Sequence, residues 1–555
     1  MEVLARRTVP GRSWIGAVSS DIGWRWVVVG FLGTTLLSLT GPALLSHFDG
    51  IHVRWWFRLP TSAVGIPIQQ VAAYVGLAAV LVAWVAVGAR LRTASKSRPG
   101  LLGVPAVAWA LPLVIGPPMF SRDMYSYIAQ ARLSAVGLSP YTNGPLALIG
   151  SPGGRTFVDA VSPVWRDTVA PYGPLFLWSA TRLLDVAGRD LMTAALLVRL
   201  PALVGLVLTF LFLPRLARSH GVDARVAIWF GVLSPLTMFD LLSAAHNDAL
   251  MIGLLVTALF VATEALTTKW AFPAAISLAA AAAMVKLPAA AVCLLLAVAW
   301  VKGRPAGEHA LHRSIASAAV AVVTVVAVSV ATGIGFGWAK PSVLLTPTGG
   351  FIASTPASAF GAVEAVALRL IGIHVSTVTA QHFTWYLLEI GAVTLCVTLV
   401  VRCRRDSLVS TSASVMLLAA VAAPALWPWY LTWGLVVLAA TAAVKASSGV
   451  LTVGVLLSAV ALGPDGEVLP PLSLSWLFAS LWLGVGLYAL AVRRRQKLLR
   501  KTAVQAAGTV KGGTVVDGTV ICEPPPNPPL DDDPLATGFP APFVRTSSTS
   551  KVPEL

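Results

Sequence analysis

Residues 116–132 read GPPMFSRDMYSYIAQAR. An apolar run ends at the pair Pro117–Pro118, and a helix-like run begins near Ser121 with Asp123 in its first turn. This predicts a membrane span handing the chain to a helix that lies at the membrane surface. Asp123, Tyr127 and Gln130 recur at i, i+4 and i+7 and so share one helix face. The partial positive charge of a helix N-terminus favours an ionised Asp. A carboxylate held among aromatic and amide side chains has the chemistry of a general base for a sugar hydroxyl. An Asp that only steadies its own turn would leave the same pattern.

Working outward, the 555 residues are only 12% charged, and mean hydropathy is +0.79. Many apolar runs reach the ~20 residues that cross a bilayer. The fold class is therefore an all-α polytopic membrane protein with about 12–14 transmembrane helices. The first apolar run follows Arg25 without a small-residue cleavage site, so it reads as a retained span and not a signal peptide. With Met1 in the cytoplasm and alternating spans, most of the 40 Lys and Arg fall on the cytoplasmic side, the positive-inside pattern. The net charge of +16 thus reads as topology and contact with anionic membrane lipids, not as nucleic-acid binding. Cys293, Cys396, Cys403 and Cys522 fall in spans or on the cytoplasmic side, which predicts no structural disulfide.

Three regions follow: a basic cytoplasmic N-terminal segment at 1–26, a transmembrane domain at 27–492, and a disordered cytoplasmic tail at 493–555, rich in Pro, Thr, Ser, Gly and Asp. The first span is expected near 27–45, then an outer loop at 46–66 with His52, Arg54, Trp55 and Trp56. Residues 118–190 hold no full span and form a large outer loop, a length that usually signals function. Within it, 121–135 and 174–187 read as surface helices. Residues 271–301 hold two short apolar runs that meet near Lys286 at the outer side; this arrangement keeps Lys302 and Arg304 inside. A second outer loop is expected at 334–381.

Ionisable residues at membrane depth are functional candidates by default. The outer face is expected to collect Arg122, Asp123, Arg166, Asp167, Tyr172, His246, Asn247, Asp248, Lys286, Trp427 and Trp429. Lys286 has no acidic neighbour in sequence; it reads as a point charge for a lipid phosphate or as a snorkelling lysine. His246-Asn247-Asp248 reads as a helix cap or as a polar cluster for sugar hydroxyls or a metal. Trp427, Trp429 and Tyr430 fit an interfacial aromatic belt or a stacking surface for a pyranose. Arg166 and Asp167 could pair with each other. The run Asp531-Asp532-Asp533 lies in the tail and reads as solvated charge. There is no Walker A sequence and no dinucleotide fingerprint followed by a plausible Rossmann unit.

Several separated segments recur in a known order: SRDMYSYIAQ (121–130), GLSPYTNGP (137–145), SPVWRDTVAPYGPLFLW (162–178), HNDALMIGL (246–254), VKLPA (285–289), GIGFGW (333–338) and WPWYLTW (427–433). Together they resemble the polyprenol-phosphate-mannose-dependent α-(1→6)-mannosyltransferases of the MptA/MptB type, nearer MptB, over roughly residues 30–490. The resemblance implies a GT-C glycosyltransferase of the plasma membrane with its active site on the outer face and both termini cytoplasmic. It implies a polyprenyl-phosphate-mannose donor, a lipid-anchored mannan acceptor of the lipomannan and lipoarabinomannan type, and Asp123 as catalytic residue. Lys286, with Arg122 or Arg166, would meet the donor phosphate. Tyr125, Tyr127, Gln130, Trp165, Asp167, Tyr172, His246, Asn247, Asp248, Trp427, Trp429 and Tyr430 would contact substrate. Two positions depart from the family pattern: Asp248 stands where the family has Glu, and Trp427 where it has Gln. No cofactor is expected, and nothing in the residues requires a divalent metal. The other readings are a transporter or scramblase of polyprenyl-linked sugars, and a GT-C mannosyltransferase with a protein acceptor.

Overall fold

The computed structural model describes residues 24–40, 65–93, 99–264, 270–303, 309–340, 355–423 and 425–443, with isolated positions outside these. His52, Arg54, Trp55 and Trp56, expected in an outer loop, lie outside the described residues. So do the last expected spans and, apart from one short ladder, the tail. The chain divides into Met1–Leu483 and Gly484–Leu555. In the second unit the described residues are an antiparallel ladder of Val515–Val516 with Thr519–Val520.

The first unit is helical. Helices α1 (Trp24–Thr40), α2 (Gly65–Thr93) and α3 (Gly103–Ile115) come first. After Pro117 and Pro118, where no helix can run on, α4 (Asp123–Ala135) begins at the aspartate itself. The large loop then carries α5 (Gly154–Ala160) and α6 (Pro174–Ala187), the latter opened by a proline at its first position,. Next come α7 (Leu191–Leu197), α8 (Arg199–Ser219) and α9 (Ala224–Gly231). A π-helical turn, Thr237–Ser243, precedes α10 (Asp248–Glu264), and the two meet at 109°. The two short runs predicted around Lys286 are α11 (Ala271–Ala283) and α12 (Ala290–Val301). Helices α13 (Ala310–Ala331), α14 (Pro356–Leu370), α15 (Thr377–Arg402), α16 (Leu408–Ala422) and α17 (Thr432–Leu438) complete the described bundle.

Among the described residues four helical stretches are long and apolar enough to cross a membrane, five with the bent pair, and six more apolar helices are shorter. Two of the long ones, α13 and α15, are apolar yet only 11% and 6% buried over their most hydropathic windows. Exposed apolar helices of that length belong in lipid, not water, so this is a membrane protein. The expected loop at 334–381 carries a helix of its own, α14, because Thr355 accepts from the Ser358 amide and Pro356 takes the first helical position, a complete start signal,.

Two close approaches place the site. Helices α8 and α10 touch at Gly205 and Gly253; a Cβ on Gly205 would lie 2.0 Å from the Ala249 carbonyl oxygen, and one on Gly253 2.3 Å from that of Gly205. Small residues at such a crossing let two backbones meet, and here they seat the start of α10. Arg199, fully buried, donates to the carbonyls of Ser243 and Val114. It thereby supplies donors to the broken span, whose freed carbonyls need them in an apolar interior.

Candidate active site

A cavity of about 450 Å³ opens between α4, the large loop, the α11–α12 turn and the 427–433 segment. That volume lies in the ~300–1,000 Å³ range of small-molecule sites. Its walls carry Asp123, Ser126 and Gln130 from α4, Trp165 and Tyr172 from the loop, Lys286, Glu389 from α15, and Trp427, Tyr430 and Trp433.

Asp123 keeps 15% of its side chain exposed, enough to meet a ligand and little enough to be shielded. Ser121 accepts from its backbone amide, fixing the first turn. The residue before that serine, Phe120, has φ of 62°, and Ala245, just before His246, has φ of 53°. Left-handed backbone at a non-glycine is uncommon and clusters at functional sites. Here it aims the two segments that carry Asp123 and His246. Tyr127 turns to the protein side of α4, where its hydroxyl lies 3.1 Å from His246 Nδ1, and that nitrogen lies 3.7 Å from Asp123 Oδ2. Edge contacts with Tyr172 and Phe176, each at 5.0 Å, lock the Tyr127 ring. Burial, ahead of the neighbouring phenol and carboxylates, pushes the Tyr127 phenol well up; burial and then Asp123 do the same to Tyr172.

Lys286 has the acidic partner that its own sequence neighbourhood lacks. Its Nζ lies 2.9 and 3.0 Å from the two Asp248 oxygens. Asp248 is fully buried, Lys286 retains 12% exposure, and Trp433 Nε1 donates to Asp248 from a third side. The rings of Tyr430, Trp433 and Tyr172 stand 4.6, 5.4 and 5.9 Å from the ammonium, which favours a cation there. The turn that presents Lys286 is clamped by the loop: Gly173 and Leu175 donate their amides to the carbonyls of Val285 and Met284, both at 3.0 Å.

The other predicted residues divide. Gln130, Trp165, Tyr172, Trp427 and Tyr430 line the cavity. Trp429 lies one layer back, its ring 3.9 Å from the His246 ring and stacked on it. Asn247 is buried with no partner on either amide atom, and Tyr125 is buried away from the lining. Arg122 binds the carbonyls of Asp159 and Ala160, and Arg166 those of Asp159 and Val161. Both arginines stitch the large loop together and neither lines the cavity; the hydrogen bonds of Arg166 go to those carbonyls and not to Asp167. Reading the sequence missed Glu389, Trp433, Ser126 and Trp338 as wall residues. A signal existed for Glu389, a carboxylate in the middle of an apolar span, and for the two tryptophans, which sit inside quoted motifs. Among the described residues no three His, Cys, Asp or Glu side chains converge as a metal centre.

The N-terminal domain model of Alpha-(1->6)-mannopyranosyltransferase matches residues 27–302, and the MptB C-terminal domain model matches residues 357–492. The chain belongs to the MptA/MptB family. Alpha-(1->6)-mannopyranosyltransferase A of Mycobacterium tuberculosis is 30% identical over 452 residues, covering 76% of this chain and 82% of that one. A second alpha-(1->6)-mannopyranosyltransferase of the same organism is 44% identical over 149 residues, 27% of this chain and 25% of its own. Alpha-(1->6)-mannopyranosyltransferase A of Corynebacterium glutamicum is 32% identical over 241 residues, 42% of this chain and 47% of that one. No solved structure matches. All the cavity segments except Trp338 fall inside the two family domains.

Proposed function

We propose that this protein is an inverting GT-C mannosyltransferase that moves mannose from polyprenyl-phosphate mannose to the 6-hydroxyl of an α-(1→6)-mannan acceptor at the outer face of the plasma membrane. The observation that carries the reading is one cavity holding a partly exposed carboxylate, Asp123, a caged ammonium, Lys286, and flat aromatic walls. Those are the three groups that transfer from a sugar phosphate asks for: a base for the acceptor hydroxyl, a cation for the phosphate, and surfaces for pyranose faces. The exposed apolar length of α15 beside Glu389 suits a donor that enters sideways with its chain in lipid.

In this mechanism the donor phosphate rests against Lys286, whose position is fixed by Asp248 and Trp433. Asp123 takes the proton of the acceptor hydroxyl as its oxygen attacks the anomeric carbon. The polyprenyl phosphate leaves from the opposite face, so a β-linked donor yields an α-linked product. General-base assistance contributes ~10²–10⁴-fold; phosphate stabilisation and positioning contribute the remainder. Trp427, a wall of the cavity, belongs to the acceptor side, and a lipid-anchored mannan is the acceptor class in this reading.

The test is mannose transfer from polyprenyl-phosphate mannose and, separately, from a nucleotide-linked mannose to a short α-(1→6)-mannoside in membranes, with the new linkage assigned by NMR. An α-(1→6) product from the lipid donor alone is expected. Transfer from the nucleotide donor alone, or a β-linked product, would overturn the proposal.

A further inference from the structure

His246 belongs to the site but does not line its cavity. The imidazole is fully buried, and its Nδ1 faces two groups at once, Tyr127 Oη at 3.1 Å and Asp123 Oδ2 at 3.7 Å. A lone pair on Nδ1 would look into an ionised carboxylate. A hydrogen there lies between the Tyr127 oxygen, within hydrogen-bond distance, and Asp123 Oδ2, just beyond it, and the clamp argued below uses this Nδ1–H tautomer,. Catalytic hydrogen bonds are often long without substrate and tighten when it binds, and 3.7 Å is a small side-chain rotation from contact.

The ring is also held across its face. His246 stacks on Trp429 at 3.9 Å and 20°, and Trp429 stacks on Trp427 at 5.1 Å and 10°. Trp427 is a cavity wall and meets Trp165 edge-on at 6.3 Å. Three stacked rings therefore run from the wall of the cavity to the back of Asp123. The titratable groups that face His246 are Asp123 and Tyr127, and Lys286 acts on it through space.

We infer that His246 is a positioning residue for Asp123, clamping one carboxylate oxygen through Nδ1–H so that the other meets the acceptor hydroxyl, with Trp427 and Trp429 coupling that clamp to an occupied sugar site. This rests on the reading of Asp123 as base. A substrate-binding histidine would have to reach the cavity; this one reaches only the residue that does.

The experiment compares wild type with His246→Phe, which keeps the stacked ring and removes the donor, and His246→Asn, whose amide N–H falls near the Nδ1 position. Transfer from polyprenyl-phosphate mannose to the mannoside is measured across pH, with Asp123→Asn alongside. The expected result is kcat down about 10–100-fold in His246→Phe with KM for both substrates within about twofold. The acid limb of its kcat profile moves up by about one pH unit, because a carboxylate loses a donor to its charged form. His246→Asn recovers most of kcat. If Asp123→Asn is inactive while His246→Phe keeps kcat and an unshifted profile, or loses only KM, the positioning role is wrong and the base stands. If Asp123→Asn is as active as wild type, the reading of the base itself fails and the clamp with it.

Discussion

Replacing Lys286 by Met separates two things that the Lys286–Asp248 pair does. The ammonium sits 2.9 Å from one carboxylate oxygen and 3.0 Å from the other. At an effective dielectric of about 20 that separation gives about 6 kcal/mol of attraction, much of it offset by desolvation of both charges. Removing one partner leaves the fully buried Asp248 with Trp433 as remaining donor, and an orphaned buried charge costs about 3–5 kcal/mol. Lys286→Met should therefore lower the thermal midpoint in detergent by several degrees. Adding Asp248→Asn removes the orphaned charge, and the double variant should return to within about 1 kcal/mol of wild type, since a buried pair exchanged for neutral groups of similar volume is often neutral. Transfer should not return. The phosphate has lost its cation in both variants, and one such electrostatic contact is worth about 10²–10³-fold in kcat. Asp248→Asn alone leaves Lys286 in its aromatic cage and should keep transfer within about tenfold of wild type. The assay pairs thermal unfolding with mannose transfer on the same preparations. A double variant that transfers at the wild-type rate would refute the reasoning, because Lys286 would then serve only to neutralise Asp248.

A Cβ at Gly173 would lie 2.1 Å from the Met284 carbonyl oxygen and 2.3 Å from its carbon, both backbone atoms. Gly173→Ala should thus push the loop off the Lys286 turn and cut transfer at least about tenfold, and wild-type kinetics would contradict that account of the clamp. Trp427→Ala removes a flat wall from the cavity; a stacked ring worth about 0.5–1.5 kcal/mol should raise KM up to about tenfold with a smaller effect on kcat, whereas an unchanged KM would return Trp427 to a role in packing alone. Burial holds the phenols of Tyr127 and Tyr172 well above their ordinary range, so the folded protein keeps them neutral while an unfolded tyrosine ionises near pH ~10. Their contribution is fully present below that pH and is lost progressively as pH rises from there through the raised folded-state values; the thermal midpoint should stay flat to about pH 9 and fall above about 10, more gently in Tyr172→Phe. An equal slope in that variant would remove Tyr172 from the account.

What the chain discloses without coordinates follows from how local each feature is. Helix starts at Asp123 and Pro174, and the paired short runs around Lys286, are written in neighbouring residues: two prolines, one proline, and a lysine whose topology has a single solution. The membership of Asp123 and Lys286 in one cavity could be suspected from motif order alone. The pairing of Lys286 with Asp248 could not, because 38 positions separate them and a salt bridge leaves no periodic trace. The roles of Arg122 and Arg166 were illegible for a related reason. A basic residue next to an aspartate in a candidate site segment reads as a phosphate ligand, and only the fold of the large loop brings the carbonyls of Asp159, Ala160 and Val161 to them. Helix α14 could have been read from Thr355 and Pro356; the Gly, Pro, Ser and Thr around it hid the start signal.

The central claim is that Asp123 is the base that activates the acceptor. Asp123→Asn keeps the size of the side chain and its place in the wall while removing the proton acceptor, so it tests the chemistry with little change in packing. Wild type and variant membranes should bind polyprenyl-phosphate mannose with the same Kd, while transfer to the α-(1→6)-mannoside falls by about 10²–10⁴-fold in the variant. Transfer in Asp123→Asn within about tenfold of wild type would contradict the account and move the search for the base elsewhere in the cavity.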